Sequence, residues 1–180
     1  DFVYHFYSNG TNDTSKGFYT ADAGNDYAFG IAFDATDNSF WMPDNSDIYF
    51  VYHFYENGTN DTSKGFNVGG AGSNSPRGIA IDTRDNSFWI TDDITEFVYH
   101  FASNGTNMTS DGFNVAGAGI GEAYGIAIDN RDYSFWFVDY PDKFVYHISN
   151  SSSNLTDGFG IGIANPVGFT IDPRDYSFWI

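Results

Sequence analysis

Hydrophobic and polar residues alternate in short runs along this chain, which is the pattern of β-strands with two distinct faces. The clearest run is Phe-Val-Tyr-His-Phe, which begins at Phe97. A period of two places Phe97, Tyr99 and Phe101 on one face of a strand. Val98 and His100 then lie on the other face. Because both faces carry bulky side chains, this run predicts a strand that is packed on both sides.

Three further strands are predicted in the same stretch. Gly-Ile-Ala-Ile begins at Gly78, Ser-Phe-Trp-Ile begins at Ser87 after an Asp-x-x-Asp turn, and Gly-Phe-Asn-Val begins at Gly112. Phe, Tyr, Trp, Ile and Val favour pleated sheet, whereas Leu, which favours helices, occurs only at Leu155. The chain is therefore predicted to be all-β, with four antiparallel strands in about 47 residues.

The whole pattern occurs four times. Its third strand begins at Phe2, Phe50, Phe97 and Phe144, which are 48, 47 and 47 residues apart. The predicted repeats span approximately 2–49, 50–96, 97–143 and 144–180, within a single domain of residues 1–180. Repeated four-stranded units of this length are typical of a β-propeller, in which stacking of the blades buries both faces of each sheet.

Side-chain size indicates which strand of each blade lies nearest the propeller axis. The first strand carries a small residue that suits a crowded inner position, at Ala32, Ala80 and Ala127. The second strand carries a large residue that suits the wider gaps further out, at Trp41, Trp89, Trp136 and Trp179.

The two ends of the chain carry complementary halves of a blade. The chain begins in a third strand at Phe2 and stops in a second strand at Ile180. Pairing of the N-terminal strands three and four with the C-terminal strands one and two predicts a seam blade without an exposed edge. Pairing within one chain, which we favour, gives a closed ring of four blades. Pairing between chains gives a larger ring or an open polymer.

The segment 76–106, PRGIAIDTRDNSFWITDDITEFVYHFASNGT, resembles an NHL-type propeller repeat. Residues 76–78 and 166–168 match the Pro-x-Gly opening of that family, and residues 91–92 match the Thr-Asp end of its second strand. The basic residues that the family carries between its second and third strands are missing here. The resemblance implies a propeller fold, and it implies little about activity.

The chain is strongly acidic, with a formal net charge of −17 from 24 acidic and 7 basic residues. Such a surface repels nucleic acid phosphates and anionic lipid, so we expect neither as a partner. There is no cysteine and no run of about 18 apolar residues, so we expect no disulfide and no membrane span. The chain begins within the pattern at Asp1, and we interpret it as a processed piece of a longer product.

Eight Asn-x-Ser/Thr triplets occupy the turns between the third and fourth strands, two in each repeat. Their asparagines are Asn9, Asn12, Asn57, Asn60, Asn104, Asn107, Asn150 and Asn154. Exposed loops of exported proteins accept N-glycans at such triplets, whereas duplicated turn chemistry is the alternative explanation. The fourth hairpin has changed most of its other residues and still keeps both triplets. We therefore predict covalent N-glycans at these asparagines.

Histidine and aspartate recur in every repeat, and we interpret both sets as structural. The third-strand histidines diverge in a propeller, so we expect them in blade packing or facing solvent, and not in a metal site. The Asp-x-x-Asp pairs end a strand and start a turn, with a weak Ca²⁺ site as the alternative. Otherwise we expect no cofactor, no metal and no catalytic residue. The histidines are His5, His53, His100 and His147, and the pairs are Asp34/Asp37, Asp82/Asp85, Asp129/Asp132 and Asp172/Asp175.

The uniformity of the repeats is the main guide to function. Catalysis on a propeller requires different residues on different blades, so we expect that the chain is not an enzyme. We predict an extracellular or cell-surface, N-glycosylated structural subunit that self-associates into a surface layer or filament. The first alternative is a propeller module that binds a glycan or peptide on one face, through loops such as 21–27 and 69–77. The second is a fragment of an NHL-type lyase, for which the resemblance implies metal-bound histidines on the central face.

Overall fold

The computed structural model describes residues 1–149 and 158–180, and its regular structure in these ranges is β-strand with four 3₁₀ turns. The prediction of an all-β chain is confirmed, and every pairing of neighbouring strands is antiparallel. Three sheets have four strands each and two sheets have two strands each. No helix in the described ranges has the length and apolar character needed to cross a membrane.

The sheets follow one another along the chain, and we name them by position. The N-terminal half-blade contains β1 (Phe2–Val3) and β2 (Phe18–Tyr19). Blade A contains β3 (Ala32–Asp34), β4 (Ser39–Asp44), β5 (Phe50–Tyr55) and β6 (Phe66–Asn67). Blade B contains β7 (Pro76–Asp82), β8 (Ser87–Asp92), β9 (Phe97–Phe101) and β10 (Phe113–Asn114). Blade C contains β11 (Ala123–Ile128), β12 (Phe135–Asp139), β13 (Phe144–Ile148) and β14 (Phe159–Gly160). The C-terminal half-blade contains β15 (Thr170–Ile171) and β16 (Phe178–Trp179). The 3₁₀ turns span Ala21–Ala23, Gly69–Ala71, Thr109–Asp111 and Ala116–Ala118.

Each complete blade takes its first two strands from one repeat and its last two strands from the next. Blade B shows the register, because Trp89 on β8 lies opposite His100 on β9. The fourth strand is shorter than the Gly-Phe-Asn-Val pattern predicts. In blade A it ends at Asn67, because Val68 already begins a 3₁₀ turn that closes on Gly72 with a φ of 100°. A positive φ of this size favours glycine.

Neighbouring blades are joined by aromatic side chains. The ring of Phe88 in blade B lies 4.6 Å from Trp41 and 5.3 Å from Phe66 of blade A, measured between ring centroids. The tryptophan-to-phenylalanine contact recurs at the next two interfaces, as Trp89–Phe135 at 4.8 Å and Trp136–Phe178 at 4.7 Å. Aromatic rings at these separations attract one another beyond the effect of burial, so these contacts stabilise the spacing between blades.

The inner strands of successive blades approach each other closely. A Cβ atom at Gly78 of blade B would lie 2.8 Å from the carbonyl oxygen of Tyr124 in blade C, so only glycine fits there without a shift. Ala80 and Ala127, which were predicted to lie near the axis, line a common cavity of about 600 Å³ between the inner strands. Small residues are therefore needed where the blades converge.

The predicted seam blade is not formed in the structure. β1–β2 packs against blade A and β15–β16 packs against blade C, as two separate sheets. Within the described residues no backbone pairing joins β16 to β1, and Trp179 is 64% exposed whereas the other three tryptophans are buried. The cores hold each half-blade against the adjacent complete blade, and in the described residues no backbone hydrogen bonds join the two half-blades into one sheet.

Candidate functional site

The hairpins between third and fourth strands carry six of the predicted glycan acceptors within the described residues. Asn9, Asn12, Asn57, Asn104 and Asn107 are exposed, and Asn60 is half-buried. In the first triplet of each of the three described hairpins, the asparagine Oδ1 accepts the backbone N–H of the threonine two residues later, at 2.9 Å for Asn9 and 3.0 Å for Asn57 and Asn104. These turns do not use Nδ2, the atom that carries an N-glycan. Asn150 and Asn154 lie outside the described residues and stay predictions.

The glycine of the first triplet has a structural role of its own. Gly58 has a φ of 80°, and a Cβ atom there would lie 2.4 Å from the Cβ of Phe18 in the preceding half-blade. Gly105 has a φ of 78° and would meet Phe66 of blade A at 2.6 Å. These two hairpins therefore need glycine both for the turn and for packing on the preceding sheet, whereas at Gly10, with a φ of 81°, only the turn favours glycine. The fold therefore accounts for the Asn-Gly pairs whether or not a glycan is attached.

The histidines of the complete blades lie against tryptophan rings and do not converge. The distances between ring centroids are 4.4 Å for Trp41–His53, 3.9 Å for Trp89–His100 and 3.8 Å for Trp136–His147. All three histidines are buried, one in each blade. Burial lowers the pKa of His53 and of His100, because a charged imidazole would lose its hydration inside the sheet. The lowered pKa values favour the neutral form of His53 and His100 inside their blades.

We expect the free energy of unfolding to fall as the pH drops below about 6.5, the ordinary pKa of histidine. His53 and His100 bind protons at a higher pH in the unfolded chain than in the folded chain. Their contribution to the free energy of unfolding is therefore complete above that pKa and is lost as the pH falls. Aspartates titrate near pH 4, so the interval between pH 5.5 and 7.5 reports mainly on histidine. Urea unfolding of the natural chain and of His100→Phe measures the effect. The variant keeps an aromatic ring against Trp89, so its free energy of unfolding should fall less between pH 7.5 and 5.5 than that of the natural chain. Equal decreases would contradict the assignment of His100 as the titrating group.

The Asp-x-x-Asp pairs close the turns that lead from the first strand of each sheet to the second. Asp129 accepts the backbone N–H of Arg131 and its side-chain Nε, both at 2.9 Å, and the side-chain hydrogen bonds lower the pKa of this aspartate. Asp132 accepts the backbone N–H of Ser134 at 3.0 Å. The Arg131 guanidinium also lies 4.1 Å from the ring of Tyr176 in the next half-blade. In the described part of the chain, no three His, Cys, Asp or Glu side chains are grouped so that they could hold a metal ion.

The cavity between the inner strands forms a channel, and at the end where these strands begin a cluster joins residues from three blades. The guanidinium of Arg77 lies 3.9 Å from the ring of Phe29 and 4.8 Å from the ring of Tyr124. Its Nε donates to Asp93 at 2.9 Å, and the side chains of Arg77 and Asp93 are only 13% and 8% exposed. Tyr124 stacks on Tyr140 at 4.7 Å. The Arg77 cluster therefore offers aromatic faces beside a mostly buried ion pair at the channel mouth, where a ligand could contact both.

The sequence analysis missed the Arg77 cluster. Its signal lies in the residue before the glycine of each inner strand, which differs in every repeat: Phe29, Arg77, Tyr124 and Val167. The Gly-Ile-Ala motif that follows this residue is shared by the first three repeats, so the variation before it makes the start of the inner strands chemically different from blade to blade. The contacts themselves depend on how three blades converge, which no single repeat reveals.

No protein-family model matches the chain, and no curated protein shows significant sequence similarity to it. Solved structures match its fold. A virginiamycin B lyase from Staphylococcus aureus is 17% identical, with a TM-score of 0.60 over 95% of this chain and 53% of the lyase chain. A streptogramin B lyase is 16% identical, with a TM-score of 0.62 over 99% of this chain and 54% of its own. A nidogen/laminin complex is 14% identical, with a TM-score of 0.57 over 94% of this chain and 77% of the matched chain. The chain thus spans about half the length of the lyases that it matches.

These similarities confirm a β-propeller-like fold and correct one prediction. The expectation that the chain is not an enzyme is wrong, because the solved structures that share its fold include streptogramin B lyases. That expectation rested on the uniformity of the repeats, yet the repeats differ at the channel mouth, where Phe29, Arg77 and Tyr124 hold equivalent positions. At these identities the likeness shows the fold alone, and the NHL-type assignment stays a prediction.

Proposed function

We propose that this chain is an extracellular, N-glycosylated propeller unit that self-associates into a surface layer or filament. The observation that supports the proposal is the exposure of the acceptor asparagines on the hairpins that the structure describes. Those asparagines are Asn9, Asn12, Asn57, Asn104 and Asn107. Exposed turn residues of this kind are accessible for N-glycan transfer in an exported protein.

Exposed aromatic side chains on the half-blades support association. Tyr4, Phe6 and Tyr19 of the N-terminal half-blade are each more than half exposed, and so is Trp179 on β16. The residues at the position of Phe6 in blades A and B, which are Phe54 and Phe101, are both buried. Burying aromatic area is the main favourable term in protein association. The exposed aromatic side chains of the half-blades therefore provide a driving force for association.

The position of the acceptor hairpins fits a glycosylated unit of this kind. The hairpins leave each sheet at the strand ends, as between β5 and β6. Glycans on the hairpins would therefore coat the outer ends of the sheets. A rigid body with a hydrated, protease-resistant coat suits a protective layer.

Secretion from a eukaryotic cell line tests the glycans. We expect an intact mass above the 20.0 kDa of the polypeptide, which treatment with peptide N-glycosidase reduces. Thr59→Ala is a matched variant, because it removes the triplet of Asn57 and keeps the backbone N–H that bonds to Asn57 Oδ1. Its mass should be lower by about one glycan. A secreted chain of unmodified mass would contradict the proposal.

Negative-stain imaging of the same material tests assembly. We expect filaments or ordered arrays at high protein concentration, because association would bury the exposed aromatic side chains of the half-blades. Separate particles of one chain at every concentration would overturn the structural role.

A propeller module that binds a ligand on one face is the second candidate. The Arg77 cluster favours it, because the residue at this position is different in each of the four repeats and aromatic faces surround the channel mouth. Loops 21–27 and 69–77 lead into the inner strands on this side of blades A and B. One of the structurally similar proteins occurs in a nidogen/laminin complex, so the fold is compatible with protein binding.

A further inference from the structure

The hairpins of blades A and B each contain an Asn-Gly pair, Asn57-Gly58 in blade A and Asn104-Gly105 in blade B. In such a pair the backbone nitrogen of glycine can attack the asparagine Cγ, because glycine has no Cβ to hinder the approach. The N–Cγ bond forms, the Cγ–Nδ2 bond breaks and ammonia leaves, which gives a succinimide. Water then opens the ring to aspartate or isoaspartate. The reaction needs no oxidant, reductant or enzyme, so each pair is chemically able to deamidate.

The closed turn opposes this reaction in both blades. The Gly58 N–H donates to the carbonyl of Tyr55 at 2.8 Å, and the Gly105 N–H donates to the carbonyl of Ala102 at 2.8 Å. The asparagine side chain is also held, because its Oδ1 accepts a threonine N–H at 3.0 Å in both turns. The attack needs a free glycine nitrogen and a rotated asparagine side chain. It therefore proceeds from a hairpin that has opened locally.

The packing of the two glycines is also alike. Gly58 lies against Phe18 of the preceding half-blade, and Gly105 lies against Phe66 of blade A. Backbone hydrogen bonds and packing are thus nearly the same in the two hairpins, so they do not favour reaction at one pair over the other. The two hairpins therefore form a matched pair within one chain.

Blade A has one hydrogen bond across its hairpin that the side chains of blade B cannot form. The Tyr55 hydroxyl donates to Asp61 at 2.7 Å and so joins the two sides of the turn. Hydrogen bonds from Ser63 and from Tyr55 lower the pKa of Asp61 to about 2, so its carboxylate is ionised and accepts at neutral pH. Ala102 and Met108 hold the two equivalent positions in blade B, and they offer no hydroxyl and no carboxylate.

We propose that Asn104 is a site of spontaneous deamidation in this chain, because its hairpin lacks the hydrogen bond that holds the hairpin of Asn57 closed. The inference does not depend on the proposed glycosylation or assembly. Asn104 is exposed, so water reaches the succinimide. Either product removes the acceptor amide of this triplet. Isoaspartate also lengthens the backbone beside Gly105, which would displace this glycine from Phe66 and loosen the contact between blades A and B.

Peptide mapping by mass spectrometry tests the site on the full chain produced without glycans and incubated at neutral pH. We expect Asn104 to deamidate about five-fold faster than Asn57, because one net hydrogen bond changes an opening equilibrium by about this factor. The same chain in urea gives the rate of each pair without the fold. Dividing each folded rate by its rate in urea removes the effect of the neighbouring residues, which differ at Glu56 and Ser103.

Two variants exchange the hydrogen bond between the blades. Tyr55→Phe removes only the hydroxyl of a residue that is 36% exposed, so the variant should fold, which circular dichroism verifies. It should raise the rate at Asn57 about five-fold and leave the rate at Asn104 unchanged. The double variant Ala102→Tyr with Met108→Asp places the same pair of side chains in blade B. It should slow Asn104 alone.

Tyr27→Phe is the matched control, because it removes a hydroxyl from a residue that is 62% exposed and lies outside both hairpins. It should leave both rates unchanged. Equal rates at Asn57 and Asn104 in the folded chain, after division by the rates in urea, would overturn the proposal. An unchanged rate at Asn57 in Tyr55→Phe would overturn it as well. So would a folded chain that keeps Asn104 intact over a period in which the chain in urea is fully converted.

Discussion

Replacing Phe88 by alanine should lower the free energy of unfolding by about 3–5 kcal/mol. The Phe88 side chain is 1% exposed and contacts Trp41 and Phe66 of the preceding blade. Its removal leaves a cavity between two sheets that cannot collapse freely, because backbone hydrogen bonds hold both in place. Urea unfolding measures the loss. Tyr27→Ala, at a residue 62% exposed, should change stability by less than about 0.5 kcal/mol. A similar loss in both variants would contradict the assignment of Phe88 to the core.

Asp92→Ala should cost about 3 kcal/mol or more, because several buried donors lose their acceptor. The Asp92 carboxylate accepts the Ser73 hydroxyl and the backbone N–H groups of Asn74, Ser75, Ile94 and Thr95, at 2.7–3.1 Å. Burial alone would raise the pKa of Asp92, but these hydrogen bonds keep it below its ordinary value. The side chain therefore ties together the loops before β7 and after β8.

The Asp92 prediction has two comparison variants. Asp92→Asn keeps one acceptor oxygen and should lose less stability than Asp92→Ala. Asp47→Ala alters an exposed carboxylate in the loop after β4 and should be nearly neutral. Thermal or urea unfolding of the set measures the differences. If Asp92→Ala were as stable as Asp47→Ala, the hydrogen bonds to Asp92 would not hold the loops.

The strands and their pairing could be predicted because the chain repeats its own pattern. Strand faces follow from local alternation, and four copies remove most of the ambiguity of any single run. The buried Trp41, Trp89 and Trp136 and the inner Ala80 and Ala127 lie where side-chain size places them. The inner glycines were found as part of the repeated motif. Only the structure shows why glycine is required there, because the strand closely approaches the next blade.

The arrangement of the two half-blades could not be predicted in the same way. Sequence complementarity between β1 and β16 favours pairing, but it is satisfied equally within one chain and between chains. The choice depends on the angle between successive blades, which results from many small contacts such as Trp89–Phe135. The exposure of Trp179 is therefore a property of the whole assembly and not of its own repeat.

The Arg77 cluster was missed for a related reason. Arg77, Phe29 and Tyr124 occupy equivalent positions in three repeats, and their side chains meet only because the inner strands converge. The uniformity of the repeats led to the prediction that the chain is not an enzyme, and this variation weakens that reasoning. The lyase structures overturned the prediction. A few substitutions on an otherwise repeated scaffold suffice to make one end of a channel chemically distinct.

The central claim is that aromatic contacts join the blades in series and that the series is interrupted between the two half-blades. Phe40 and Phe88 occupy equivalent positions on β4 and β8, but only Phe88 lies against a tryptophan. Urea unfolding of Phe40→Ala and Phe88→Ala, at a concentration where the natural chain is monomeric, compares the two sites directly. We expect Phe40→Ala to cost at least about 2 kcal/mol less than Phe88→Ala. Equal losses would show that a tryptophan also covers Phe40 in the single chain, and would contradict the claim.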